Sequence, residues 1–195
     1  ATAQNFAWAQ ENHSNLIIDA IPKKTKHILD VGSGSGSLAL NLLNRGYYVD
    51  CVIPSNYLAR SVKKKIKDRG NIHISKFENI NLHNTYDLII FSESFQYINM
   101  EISFPIIQKL LTPGGHLLIC DFFKLNIPQE SLMGGGHLWE KFLDQINKTN
   151  LKIVSDFDMT IGSAPTIDFL DRFGQEVLGP IGKMVFDYMI SNYPK

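Results

Sequence analysis

Two cysteines in 195 residues are too few and too far apart for a disulfide framework, and Cys51 and Cys120 each stand alone inside an apolar run. They read as buried free thiols, and with no Cys or His cluster at metal-ligand spacing no metal is expected. An excess of one charge is missing too: 19 Lys and Arg balance 19 Asp and Glu, so no overall field holds the chain on nucleic acid or on an anionic membrane. The one dense basic run, Lys63-Lys64-Lys65-Ile66-Lys67, reads as the solvated face of a surface helix. No apolar stretch reaches the roughly 18 residues of a membrane-crossing helix, and the first residues lack a charged-then-apolar leader, so a cytoplasmic protein is expected. Internal repeats and low-complexity tracts are absent as well, which leaves a single domain over residues 1–195 as the expected organisation.

What the chain does have is His27-Ile28-Leu29-Asp30-Val31-Gly32-Ser33-Gly34-Ser35-Gly36-Ser37, an apolar strand running into a carboxylate and a glycine-rich turn. Ile28, Leu29 and Val31 suit a strand buried on both faces, and Ser37-Leu38-Ala39-Leu40 opens a helix with free N–H groups. Between them the glycines permit a tight turn and close backbone approach, so the turn can cradle a small molecule. A dinucleotide fingerprint places glycines at 32, 34 and 37. Here position 37 is Ser37 and the third glycine is Gly36, which disfavours a nucleotide-dependent oxidoreductase.

Strand-like and helix-like segments alternate at the spacing of βα units, which predicts an α/β fold with a doubly wound, mostly parallel sheet. The pattern gives helices over 10–21, 37–44, 55–70, 102–111 and 138–147, and strands over 27–31, 48–53, 72–75, 86–91, 116–122 and 151–157. Leu88-Ile89-Ile90-Phe91 belongs to a central strand, and Thr112-Pro113-Gly114-Gly115 breaks the chain before the fifth. Gly134-Gly135-Gly136 reads as a flexible joint. Two amphipathic segments, 166–178 and 181–191, are expected to lie across the ligand-bearing edge. The layout is then an N-terminal helix (1–25), an α/β core (26–158) and a helical cover (159–195).

Four landmarks now stand in order: Leu29-Asp30-Val31-Gly32-Ser33-Gly34-Ser35-Gly36, Pro54-Ser55-Asn56-Tyr57-Leu58, Tyr86-Asp87-Leu88-Ile89 and Leu110-Leu111-Thr112-Pro113-Gly114-Gly115. Together they resemble the class I S-adenosylmethionine-dependent methyltransferases, specifically the group acting on small metabolites, over residues 16–154. The resemblance implies a Rossmann-like, seven-strand-type sheet and S-adenosylmethionine as cofactor. It implies that Gly32, Ser33, Gly34 and Gly36 bring backbone to the methionine and ribose portion, while Asp30 orders the loop or meets the methionine ammonium. The ligand's chemistry agrees. An ammonium, a carboxylate and a sulfonium call for an acidic contact, N–H donors and no bulky side chains at the bend.

Two positions depart from the family pattern. The carboxylate that takes the ribose hydroxyls at the end of strand 2 falls at Ile53, and the acid facing the adenine amino group falls at Lys76. Losing both costs cofactor affinity on the order of 1.5–3 kcal/mol each unless other groups substitute. The candidates are Asn56, Glu78 and backbone groups, with Phe77 to stack on adenine and Ser92 at the end of the fourth strand. Asp50 lies three residues before Ile53, so strand alternation turns it to the other face, as a strand-edge carboxylate.

Ser92-Glu93-Ser94-Phe95-Gln96-Tyr97 follows the fourth strand at the sheet edge where open α/β folds bind ligands, and is the candidate active site. Methyl transfer is an in-line displacement, so the protein must align the partners and, for a hydroxyl or ammonium acceptor, take a proton. Glu93 is the candidate base, with a loop or helix-cap carboxylate as the alternative. His137 is a second candidate acid or base, with a structural or exposed histidine as the alternative. Phe95, Tyr97, Phe122, Phe123 and Trp139 are candidate walls of a substrate site. The Asn/Asp-Pro-Pro-Tyr/Phe tetrad that in the resembled superfamily accompanies amino methylation of nucleobases or glutamine is absent. The expectation is methyl transfer to an O, N or C atom of a small, partly apolar metabolite. The alternative is a catalytically silent methyltransferase-like protein that binds a metabolite or protein partner.

Overall fold

Asp87 shows how local chemistry sets the register of the sheet. Its carboxylate accepts the N–H groups of Lys26 (2.9 Å) and His27 (3.0 Å) and the Thr112 hydroxyl (3.3 Å), pinning neighbouring strand starts together. These bonds, that to His27 foremost, hold the carboxyl below the usual carboxylate range. The Tyr-Asp landmark is thus a fold device rather than a ligand contact.

The computed structural model describes residues 3–125 and 136–160. In chain order the elements are α1 (Ala3–Asp19), β1 (His27–Val31), α2 (Ser37–Asn44), β2 (Tyr48–Val52), α3 (Asn56–Ile66), β3 (Ile72–His73), β4 (Tyr86–Ser92), α4 (Met100–Leu110), β5 (Leu111–Cys120), β6 (Phe123–Lys124), β7 (His137–Leu138) and α5 (Trp139–Asn147). Short 3-10 turns occupy Phe77–Asn79 and Phe95–Tyr97. The main sheet has the order β3-β2-β1-β4-β5 and is parallel throughout. From β1 the chain runs outward through β2 and β3, then returns to β4 on the other side. The carboxyl ends of β1 and β4 therefore flank a topological switch point, the place where such sheets open a crevice.

β1 and β4 are buried on both faces, as their continuous apolar runs require. Alternation sends Leu29, Ile89 and Phe91 into a cluster with Phe95, Phe104, Ile107 and Phe142, and Ile28, Leu88 and Ile90 into one with Ile17, Leu42, Val62 and Ile66. Helices α1, α2 and α3 so cover one face, and α4 and α5 the other. The chain divides into two compact units, Ser14–Lys152 and a second made of Ala1–His13 with Ile153–Lys195. Every candidate site residue belongs to the first.

Several expected elements change. Helix α1 begins near residue 3 rather than 10, because no breaker precedes Pro22. β5 starts directly after α4, pairing Leu111 with Tyr86 and His116 with Leu88, so that Pro113-Gly114-Gly115 is extruded as a bulge inside the strand. The expected strand over 151–157 does not form: these residues lie in no ladder, and Val154 and Phe157 are 82% and 74% exposed. Apolar alternation alone makes no strand where no neighbour supplies hydrogen bonds. A parallel pair, β6 with β7, was not anticipated, since two-residue strands leave no periodicity to read. The doubly wound, parallel Rossmann-like sheet is as expected, with five strands among the described residues. Gly134, Gly135 and the amphipathic segments at 166–178 and 181–191 lie outside the described residues. Among the described residues no helix is long and apolar enough to cross a membrane, and no cluster of three His, Cys, Asp or Glu could hold a metal.

Candidate functional site

After β1 the chain turns through Gly32, Gly34 and Gly36 with φ of +76°, +51° and +79°. Glycine adopts this left-handed conformation without the Cβ penalty of other residues. At two of the three positions space imposes glycine as well. A Cβ on Gly32 would lie 2.4 Å from Ser94 Cβ, and one on Gly36 would lie 2.9 Å from Val62 Cγ2.

Asp30 lies beneath this turn and is 1% exposed. Ser33 Oγ donates to the Asp30 main-chain carbonyl at 2.8 Å, which closes the turn, while Oδ2 of the carboxylate is buried without a partner. Burial pushes the Asp30 carboxyl up to about 6, with the Ser33 hydroxyl opposing. An orphaned buried carboxylate of this kind calls for a cation. It opens on a cavity of about 150 Å³ lined by the turn from Gly32 to Ser35, by Ser37 and Leu38 of α2, and by Ser92 of β4.

A larger depression of about 540 Å³ lies at the opposite, amino-terminal edge of the sheet, lined by His27, Asp50, Tyr86 and Asp87 among others. Its carboxylates are already used. Asp50 accepts from Asn71 N and Nδ2 and from the Tyr86 hydroxyl, and Asp87 holds the strand starts. Asp50 is therefore structural, as its alternation implied.

The segment after β4 faces the same edge as the glycine turn. Glu93 is exposed and sits at φ +54°, a left-handed conformation that costs a non-glycine residue on the order of 1–3 kcal/mol. The surrounding structure enforces it. Glu93 N–H donates to the Cys120 carbonyl (2.9 Å), and the Asp121 carboxylate accepts from Gln96 N–H (3.0 Å) and Phe122 N–H (2.8 Å). Burial pushes the Asp121 carboxyl up, and these N–H groups oppose it. From the other side His137 Nε2 lies 3.0 Å from the Phe95 carbonyl, so Nε2 carries the proton and Nδ1 is the basic nitrogen. Burial also raises both thiols, Cys51 to about 12 and Cys120 to about 11, so neither is a nucleophile near neutral pH.

Some candidates are moved out of the site. Ile53, Phe77 and Phe95 are 1%, 2% and 0% exposed and belong to the apolar clusters. Phe77 stands edge-on to Phe91 and is almost wholly buried, and Phe95 packs against Phe91, Phe104 and Phe142. Phe123 and Trp139 are half-buried and pack on each other and on Phe142, so core packing claims them before any substrate wall. Tyr97 (76%) and Phe122 (40%) are exposed. Asn56 is exposed as the first residue of α3, whose N-cap is Ser55. Glu78 Oε1 accepts Asn99 N–H at 3.0 Å, tying the turn after β3 to the start of α4. Two residues beside the candidate site carried no role of their own in the sequence reading. Ser94 lay inside the candidate active-site segment, and Asp121 stood next to the candidate wall residues Phe122 and Phe123.

Residues 29–119 match a family model described as a methyltransferase domain. Over that stretch the chain is similar to the class I S-adenosylmethionine-dependent methyltransferases. The chain is similar to Malonyl-[acyl-carrier protein] O-methyltransferase 1 of Ilyobacter polytropus, at 28% identity over 128 residues covering 62% of this chain and 48% of that protein. A TehB-like SAM-dependent methyltransferase from Corynebacterium glutamicum shares the fold with a TM-score of 0.58 at 19% identity, over 74% of this chain and 80% of that one. StiE O-MT does so with a TM-score of 0.67 at 21% identity, over 78% and 55%. The chain spans about half the length of the curated relatives it matches.

S-adenosylmethionine, the cofactor of the class I methyltransferases that the chain resembles, fits the cradle at its amino-acid end. The orphaned Asp30 oxygen suits an ammonium, and the turn has no Cβ at Gly32, Gly34 or Gly36 to obstruct it. At the adenosine end the chain has buried Ile53 and exposed Lys76 where the class I methyltransferases have acids.

Proposed function

We propose that this chain transfers a methyl group from S-adenosylmethionine to an O, N or C atom of a small, partly apolar metabolite. The observation that carries the reading is the buried, unpartnered Asp30 oxygen beside a glycine turn at the switch point of the sheet. Bound there, the cofactor supplies an electrophilic methyl group on a sulfonium.

The residues of the chain divide the remaining work. Asp30 receives the α-ammonium, and Gly32, Ser33, Gly34 and Gly36 give backbone access without side-chain obstruction. Asn56, at the start of α3 and three residues past Ile53, is the side chain left for the ribose. Ser92 bridges the cradle to the acceptor side. Glu93 takes the proton of a hydroxyl or ammonium acceptor, or stabilises the cation that develops on a carbon acceptor. His137 orients the Phe95 carbonyl and with it the turn that carries Glu93, and its Nδ1 is a second proton acceptor. Tyr97 and Phe122 offer the exposed aromatic surface for a partly apolar substrate.

The absence of acids at Ile53 and Lys76 favours a second reading, a silent methyltransferase-like protein that binds a metabolite or protein partner. Mass spectrometry of ligands retained by the purified protein, followed by turnover with labelled S-adenosylmethionine, separates the two. Retained cofactor or its demethylated product together with turnover supports the enzyme; retention without turnover supports the silent protein. A retained dinucleotide contradicts both.

A further inference from the structure

Lys65, in the third turn of α3, is half-buried, and its Nζ lies 2.9 Å from Ser37 Oγ and 3.3 Å from Ser35 Oγ. Those hydroxyls are themselves 3.1 Å apart, and both serines line the cavity onto which Asp30 opens. Among the described residues these two neutral oxygens are the only partners of Lys65. Lys63, two positions earlier, has Asp68 at 2.6 Å. An ammonium served only by hydroxyls has no carboxylate neutralising it, and the groups around it increase the positive field. Helix α2 starts at Ser37 with no side-chain cap and no acidic residue in its first turn, so its leading N–H groups and its dipole point at the same place. The other lining of the cavity carries the opposite defect, the buried Asp30 oxygen that has no donor.

The cavity therefore has a lysine ammonium behind its Ser35 and Ser37 hydroxyls, the free N–H groups of α2 and the unmatched Asp30 oxygen, together the complement of an α-amino acid zwitterion. Both serine hydroxyls accept from Lys65, one of them donates to the other, and the remaining hydroxyl proton is left to donate, so the pair can hold the ammonium and meet an anion together. We infer that Lys65 is a cofactor-binding residue whose ammonium takes the α-carboxylate of S-adenosylmethionine through the Ser35 and Ser37 platform, while Asp30 takes the α-ammonium. The inference rests on the methyltransferase reading of the site and adds a residue outside every family landmark in the chain.

Isothermal titration calorimetry with S-adenosylmethionine and with its decarboxylated form, which lacks only the carboxylate, tests it. The wild type is expected to prefer S-adenosylmethionine by about tenfold or more. Lys65→Met is expected to lose that preference by binding S-adenosylmethionine about tenfold more weakly while binding the decarboxylated ligand as the wild type does. Lys65→Arg is expected to keep the preference. A preference that persists in Lys65→Met, or equal weakening toward both ligands, overturns the assignment. A wild type that binds neither ligand instead overturns the methyltransferase reading itself.

Discussion

The Ser94 hydroxyl donates to the main-chain carbonyl of Val31 at 2.6 Å, and this bond ties the turn after β1 to the turn after β4. One turn belongs to the cofactor cradle and the other carries Glu93, so the staple sets their separation. The approach is close enough that any side chain on Gly32 would occupy the space of Ser94 Cβ.

Gly32→Ala is accordingly expected to destabilise the protein by about 2–4 kcal/mol, from the collision and from φ of +76° together. Ser94→Ala removes only the staple and is expected to cost about 1 kcal/mol. Urea unfolding curves measure both. An unchanged midpoint for Gly32→Ala would contradict the close approach.

Asp30 links stability and binding with opposite signs. Its folded value, about 6, lies above the usual 3.8, so the folded state holds this proton more tightly than the unfolded chain does. Stability of the unliganded protein should fall as pH rises from about 4 to about 6 and then level off, a total of about 3 kcal/mol. An ammonium ligand needs the ionised form, so affinity should climb about tenfold per pH unit up to about 6 and be flat above. Asp30→Asn should unfold at higher temperature than the wild type at neutral pH, bind at least about tenfold more weakly and lose the pH dependence. Melting curves and calorimetric titrations across this range check each sign.

The glycine turn and the central strands were legible in the sequence because each obeys a strong local rule. Gly32, Gly34 and Gly36 occupy positive φ, and Leu88 to Phe91 are buried on both faces. The aromatic residues were not legible. Phe95 and Phe77 stand beside the site in sequence, but a benzyl side chain gains more by joining Phe91 and Phe142 than by lining a wet crevice, and sequence position does not reveal that choice. Lys65 was concealed for the converse reason. Its neighbours in the chain are solvated lysines, and only the packing of α3 against α2 brings it to Ser35 and Ser37. The strand expected over 151–157 failed because alternation is necessary for a strand but a hydrogen-bonding neighbour is what makes one.

Glu93 holds a left-handed conformation that glycine adopts freely. Glu93→Gly should raise stability by about 1 kcal/mol, and Glu93→Gln should leave it within about 0.5 kcal/mol. With a hydroxyl or ammonium acceptor both should lower turnover by about 10²-fold or more, the loss expected on removing a general base. Full turnover by Glu93→Gln would remove Glu93 from the reaction.

Asp121 accepts two backbone N–H groups, and an amide in its place turns one acceptor into a donor facing a donor. Asp121→Asn should cost about 2 kcal/mol in denaturant unfolding and release the turn over Phe95–Tyr97. Hydrogen exchange at Gln96 N–H reads that release; protection equal to the wild type would contradict it.

The central claim, that the cradle under Gly32, Gly34 and Gly36 receives the amino-acid end of S-adenosylmethionine against Asp30, is tested most directly by calorimetric titration of the wild type and Asp30→Asn side by side at neutral pH. The expected result is one saturable site in the wild type, weakened about tenfold or more by the substitution. No binding by the wild type even at millimolar ligand, or equal affinities for the two proteins, would contradict it.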